Sequence, residues 1–364
     1  VRAELRDRKW FASRAEPNLA DWLDLVALGT VADVVQLDQN NRRLVHEGLL
    51  RIRAGRARPG LNALIETAGL DRTALLTRDL AFSIAPRLNA AGRLQDMKVG
   101  IECLLSTGDA AVRLAGYLNE LNQERRAIEN KMRDQALQYI DKLSLDGQKK
   151  AGLCICGEDW HEGVIGIIAA RIRERTFRPV IAFAPVSGSE LKGSGRSVEG
   201  FHMRDALDAI ATRHPGILLR FGGHAMAVGM SLKRSEFTRF SAAFDVEVSK
   251  ILGESNLEKV VTTDGPLNEE INIQIAKIVE SGAPWGQGLP EPEFDDDFEV
   301  LEQRLLDGRH LKLRLQPTQG SPVDAICFNH PSLLESRYIH CVYRIEINRF
   351  RGSEKPQLVI SMVV

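Results

Sequence analysis

The spacing of apolar and polar residues divides the chain into three blocks and predicts different elements in each. In the first, from Val1 to about Thr107, the apolar run Leu23–Val31 ends at Ala32-Asp33-Val34-Val35, a short buried segment that would deliver one carboxylate into a site. Asn41–Arg53 places Leu44, Gly48, Leu49 and Ile52 at helical spacing, and Gly60–Ala68 reads as a short helix. From Asp109 to about Leu143 there is no proline, and Gly116 is the sole glycine. Leu114, Leu118, Leu121, Ile128, Met132 and Tyr139 follow the alternation of one long helix packed along a seam. Arg125 interrupts that seam, which favours an intramolecular connecting helix over a coiled-coil stem; Lys142–Lys150 closes it as a polar linker.

The second block, about Ala151–Gly253, alternates strand and helix. Strands at Leu153–Cys156 and Pro179–Ala184 flank a helix at Val164–Arg175. After Lys192–Ser197 come a helix at Met203–Thr212, a strand at Val228–Leu232 and a helix near Ser235–Leu252, a pattern that predicts α/β architecture. The third block, about Asn256–Val364, reads as strands: Lys259–Thr263, Phe298–Leu306, His310–Leu315, Val323–Phe328, His340–Ile347 and Gln357–Val364. Alternation such as Leu311-Lys-Leu-Arg-Leu315 predicts a small OB-like β-barrel. Arg304, Arg309, His310, Lys312, Arg314, Tyr343 and Arg344 describe either a face for single strands or the wall of a plain packing barrel. Glu291–Glu299 reads as a solvated acidic loop.

Composition narrows the partners. Among 364 residues, 48 Lys and Arg nearly cancel 49 Asp and Glu, so nucleic-acid binding would rest on local patches rather than a global basic field. Cys103, Cys154, Cys156, Cys327 and Cys341 have no disulfide-framework or metal spacing, which fits a reducing compartment. No apolar run approaches a membrane span, so the expectation is a cytoplasmic protein with no membrane partner. Val1 is not an initiator methionine, and the charged opening stretch suggests that residues precede it.

Candidate chemistry sits in short runs. In Arg220-Phe-Gly-Gly-His-Ala-Met-Ala-Val-Gly229, paired glycines would let backbone N–H groups crowd a phosphate or form a simple turn. Gly193-Ser-Gly-Arg-Ser197 gives a second such loop upstream. Pro86-Arg-Leu-Asn-Ala-Ala-Gly-Arg93 carries Arg87, Asn89 and Arg93 around a small-residue turn, either a solvated loop or a phosphate fork. Asp159-Trp-His-Glu-Gly163 places His161 just before a helix, where free N–H groups favour anions.

Leu25–Val35, Pro86–Arg93, Trp160-His-Glu-Gly-Val-Ile-Gly166, Gly193–Ser197 and Phe221–Gly229 occur in an order that resembles the RecJ family, bacterial single-strand-specific 5′→3′ DNA exonucleases of the DHH phosphoesterase superfamily. Pro284-Trp-Gly-Gln-Gly288 with Pro290-Glu-Pro-Glu-Phe294 resembles the start of that family's barrel. The resemblance implies an α/β fold: the C-terminal part of a DHH domain at 1–107, a connecting helix and linker at 108–150, a DHHA1 domain at 151–253 and an OB-like domain at 256–364. It implies Asp33 as a ligand to a Mn²⁺ or Mg²⁺ pair, and Asp33 and His224 as catalytic residues. It implies 5′-phosphate or DNA binding by Arg93, Ser194, Arg196, Gly222, Gly223 and His224, with Asn89, His161, Lys312 and Arg314 as further contacts. The implied partners are single-stranded DNA with a 5′ end, a helicase and a single-strand-binding protein, the enzyme being a monomer in DNA repair and recombination.

One departure matters. No Asp-His-His occurs in the chain, and Asp33 alone cannot hold two cations. The expectation is that the other ligands lie upstream of Val1 and that this polypeptide by itself is inactive. A non-catalytic single-strand-binding scaffold is the rival reading. A phosphodiesterase of very short oligonucleotides would lack the barrel block, and a tRNA-editing appendage would lack Thr30-Val-Ala-Asp33.

Overall fold

The computed structural model describes residues 1–145, 150–253, 261–267, 270–350 and 352–363. The chain opens with α1 (Arg2–Asp7), α2 (Leu23–Ala32), α3 (Gln39–Arg53), α4 (Pro59–Thr67) and the single turn α5 (Thr77–Asp79). Next come α6 (Ala85–Leu94), α7 (Lys98–Leu105) and the long α8 (Gly108–Leu145). The α/β part follows as β1 (Leu153–Cys156), α9 (Ile165–Thr176), β2 (Val180–Ser187), β3 (Glu190–Arg196), α10 (Met203–Arg213), β4 (Arg220–Gly223), β5 (Ala227–Lys233) and α11 (Phe237–Leu252). The last part is α12 (Ile273–Gly282) and β6 (Phe294–Leu306), β7 (His310–Pro317), β8 (Val323–Cys327), β9 (Tyr338–Phe350) and β10 (Ser353–Val363). Contacts group Val1–Ala85 with Val261–Val364 as one unit and Pro86–Val260 as a second.

In the first unit, the Leu23–Val31 run is a helix rather than a buried segment, and Asp33 is exposed at its C-terminal end. Asp24, Ala27 and Leu28 are the residues that α2 buries. Gly48 in α3 permits the approach of α2: a Cβ there would lie 2.3 Å from the Leu23 carbonyl oxygen. The chain leaves α2 through a paired cap, Val35 N–H donating to Thr30 O at 3.0 Å and Val34 N–H to Val31 O at 3.2 Å. This cap requires a left-handed residue, and Val34 takes it at φ 55 with its side chain 64% exposed. A β-branched residue is strained there and glycine is not, so Val34→Gly is expected to raise stability by roughly 0.5–1 kcal/mol after glycine's entropy cost. A urea melt reads this; a lower midpoint would show that the Val34 side chain contributes packing that outweighs the strain.

The Pro284–Gly288 loop fixes the segment after Asp33. Leu37 N–H donates to Gln287 O at 2.7 Å, and a Cβ on Gly286 would sit 2.8 Å from Leu37 Cδ1. The same loop accepts the Thr77 hydroxyl at Trp285 O, 2.8 Å away.

Strands β6–β10 close a barrel in the order β10-β8-β7-β6-β9. In β7, Leu311, Leu313 and Leu315 point inward and the polar residues between them outward, as the alternation predicts. Three expectations in this block are corrected. Tyr343 is fully buried in the core, its hydroxyl donating to Asp296 Oδ2 at 2.7 Å, and so is not on a binding face. Asp295–Glu299 is not a solvated loop but part of β6, where Asp295 and Asp297 share one face and grip His340 at 3.2 and 2.9 Å. Those carboxylates, Asp297 foremost, raise the His340 pKa. Residues 261–263 have no regular structure, and the rest of the Lys259–Thr263 strand lies outside the described residues.

In the second unit the sheet runs β1-β2-β3-β5-β4, with β1 and β2 parallel and the other pairs antiparallel. One face packs Phe183, Leu191, Val228 and Met230 against Leu207 and Ile210 of α10 and Phe240 and Phe244 of α11. The other packs Val180, Ala182 and Ala184 against Ile165, Ile168 and Ile172 of α9 and Met132 of α8. Pro86–Arg93 is helical rather than a turn; a π-helical turn, Leu80–Ile84, precedes it because Pro86 has no N–H for a regular ladder. Arg125 does not break the α8 seam. It is buried, with its guanidinium on Asn122 Oδ1 at 3.1 Å and Glu129 Oε2 at 2.8 Å. Helix α8 continues through Leu145, and residues 146–149 of the expected linker lie outside the described residues.

Candidate nucleic-acid interface

Neither glycine-rich run is a loop. Gly193-Ser-Gly-Arg196 lies in β3 and Gly222-Gly223 ends β4. Strand alternation then assigns each residue a face. Gly193 and Gly195 turn to the core, where a Cβ would meet Phe183 Cε1 at 2.5 Å and Val228 Cγ2 at 2.6 Å. They are packing glycines, turned to the core. Ser194 and Arg196 therefore turn to the opposite face, beside α9.

Here three predicted residues converge. Arg196 Nη1 reaches Ser194 Oγ at 3.2 Å and the Gly195 carbonyl at 2.8 Å. A Cβ on Gly166, in the first turn of α9, would lie 3.1 Å from both Ser194 Oγ and Arg196 Nη2. Arg93 of α6 donates from Nη1 to Gly163 O at 3.0 Å, in the loop that leads into α9. Burial, then the like charges of Arg93 and Arg173, lower the Arg196 pKa. Burial also lowers that of Arg93, with Glu129 opposing. Among the described residues no carboxylate forms an ion pair with Arg196. Guanidinium groups half out of water beside a helix N-terminus, without a carboxylate on the central one, favour an anion. Gly166 closes the Trp160–Gly166 run without a role of its own there, and Arg173 belongs to no run singled out in the sequence; their helical spacing on α9 is the signal.

The same face continues as bare backbone. Ser194 pairs with Gly229 and Gly229 with Gly222, so the three lie in one row across β3, β5 and β4. Nothing lies within 4 Å of the Cβ position of Gly222 or Gly229. Gly223 differs: its φ is 135, and a Cβ would meet Ala227 O at 2.4 Å. It makes the hairpin in which His224 N–H donates to Ala227 O at 2.8 Å, leaving the His224 side chain exposed.

The other candidates stand apart from this cluster or are already engaged. His161 Nδ1 accepts from Gly163 N–H at 3.1 Å. Asn89 is exposed on α6, one turn before Arg93. On the barrel wall Arg314 is paired with Asp324 at 2.8 Å, and Lys312 lies in register with Arg304. Asp33 belongs to the first unit. That unit also holds a cavity of about 710 Å³ lined by Val34, Arg53, Arg78, Trp285 and Arg344, but Asp264, Glu280, Glu291 and Glu293 balance its charge. It does not favour an anion.

Among the described residues no group of three or more His, Cys, Asp or Glu could hold a metal ion. A cation pair takes several carboxylate or imidazole ligands, and Asp33 offers one carboxylate. The residues present do not fit a complete metal centre. No hydrolytic step follows from them. No helix among the described residues is long and apolar enough to cross a membrane.

The RecJ OB domain family matches residues 263–362 and the DHHA1 domain family residues 148–250. The single-stranded-DNA-specific exonuclease RecJ of Dickeya dadantii is 49% identical over 99% of this chain and 64% of its own length. That of Escherichia coli is 48% identical over 100% of this chain and 65% of its own length. The crystal structure of Thermus thermophilus RecJ with Mn²⁺ superposes with a TM-score of 0.79 at 29% identity, covering 96% of this chain and 50% of that one. The chain spans just under two thirds of the length of the curated relatives. Similarity of this degree along the whole sequence, on a DHHA1 domain followed by a RecJ OB domain, places the chain in the RecJ family.

Proposed function

We propose that this chain works in a metal-dependent exonuclease that degrades single-stranded DNA from the 5′ end. The observation that carries it is the convergence of Ser194, Arg196 and Gly166 beside Arg93, a pocket for a terminal phosphate. The glycine row of β5 and β4 then forms the floor on which the following nucleotides lie, with His224 at its end. Holding the first phosphate fixes the register of the strand, and with it which bond is presented for cleavage.

On this reading Mn²⁺ or Mg²⁺ is the cofactor, residues 1–107 are the later part of a DHH domain, 108–150 the connecting helix and linker, 151–253 the DHHA1 domain and 256–364 the OB domain. Lys312 is proposed as a further contact to the backbone of the strand. A helicase would supply single strands and a single-strand-binding protein would cover them, with the enzyme a cytoplasmic monomer in repair and recombination.

Asp33 is proposed as one metal ligand. In a chain extended to the length of the curated relatives, Asp33→Ala is expected to abolish Mn²⁺-dependent degradation of a 5′-phosphorylated single strand without lowering the melting temperature. Near-normal turnover would remove Asp33 from the metal site. Binding without cleavage in the unmutated extended chain would favour a scaffold role instead.

A further inference from the structure

We propose that Arg173 is a further specificity-determining residue of the terminal-phosphate pocket, selecting a phosphate monoester over a diester. The proposal rests on Ser194 and Arg196 holding that phosphate. Gly166, Ala170 and Arg173 recur at i, i+4 and i+7 along α9 and so share one face. The Cβ position of Gly166, 3.1 Å from Ser194 Oγ and Arg196 Nη2, identifies that face as the one turned to the pocket. Helical side chains lean toward the N-terminus of their helix, which directs Arg173 back along it. Gly166 and Ala170 put no long side chain in its way.

Arg173 is under-used by the protein itself. Its Nε is buried without a hydrogen-bond partner. Its ion pair is loose, Nη2 to Glu174 Oε1 at 3.6 Å, on a carboxylate that Arg171 engages at 3.2 Å. It also lies close enough to Arg196 for the two charges to repel. A buried guanidinium N–H without an acceptor is costly, and an arriving anion removes both the vacancy and the repulsion. A terminal phosphate monoester suits this, with three free oxygens and a charge of about −1.5 to −2 at pH 7. A diester offers fewer oxygens and a single charge. Arg93, Arg196 and Arg173 approach from α6, β3 and α9, three directions for three oxygens.

The test measures binding of the whole 364-residue chain to one labelled single strand ending in 5′-phosphate, 5′-methyl phosphate or 5′-hydroxyl. The wild type is expected to bind them in that order of affinity. Arg173→Ala should cut the preference for phosphate over methyl phosphate roughly tenfold, leave the hydroxyl strand nearly unchanged, and melt as the wild type does. Arg173→Lys should restore part of the preference, and Glu174→Gln, which frees Arg173, should increase it. An unchanged phosphate-to-methyl-phosphate ratio in Arg173→Ala overturns the proposal, as does an equal loss for all three strands. If the wild type itself ignores the 5′-phosphate, the pocket reading fails first and this one with it.

Discussion

Arg196→Ala should weaken binding of a 5′-phosphorylated single strand by about 30- to 1,000-fold, with little effect on a 5′-hydroxyl strand. The range corresponds to roughly 2–4 kcal/mol, typical of removing one partner from a half-buried, hydrogen-bonded charge pair. Arg196 is at the centre of the cluster: it bonds Ser194 Oγ and approaches Gly166, while Arg93 and Arg173 press on it with like charge. Removing it relieves that repulsion, so the protein should keep or gain stability while losing recognition. Arg196→Lys should recover only part of the affinity, because an ammonium cannot hold Ser194 and a phosphate in one plane. Equal weakening of both strands would make Arg196 a general backbone contact and take it out of the phosphate pocket.

The second large effect is on stability. Gly223→Ala should cost about 3 kcal/mol, because its Cβ would meet backbone atoms, Ala227 O at 2.4 Å and Val228 Cα at 2.7 Å, and its φ of 135 disfavours any side chain. Backbone cannot swing aside as a side-chain tip does. Gly222→Ala is the companion measurement. Its Cβ position is open, so the fold should not notice, yet a methyl on the floor should weaken single-strand binding several-fold. Chemical denaturation and binding together separate the pair; matching stability losses would reduce Gly222 to a hairpin residue as well.

The helices α3 and α8 and the alternation in β7 were legible because each buries one face of a regular period, and a period survives in sequence. The glycine motifs were legible as motifs and misleading as geometry. Gly193 and Gly195 look like phosphate glycines until β3 gives them a side, and strand parity then hands the chemistry to Ser194 and Arg196. Tyr343 followed a parity already visible in Cys341, Ile345 and Ile347, all on the barrel interior, but its polar hydroxyl suggested an exposed face. Arg125 is hard to read for a similar reason: its charge argues against burial, while its acceptors Asn122 and Glu129, one turn to either side, satisfy it inside the seam. Position along α9 was the remaining blind spot, since neither Gly166 nor Arg173 is unusual until the helix is placed against β3.

The bare glycine row of β4 and β5 has a consequence for which base sequences could lie on it. A surface of peptide groups presents no side chain to the edge of a base, so purine and pyrimidine meet the same contour and the same dipoles. Discrimination in nucleic-acid recognition comes from hydrogen bonds to base edges, and this floor supplies none from side chains. On the proposed reading, single strands of equal length and different sequence should then bind alike, and any difference would report the strand's own stacking and hairpins rather than a preference of the protein.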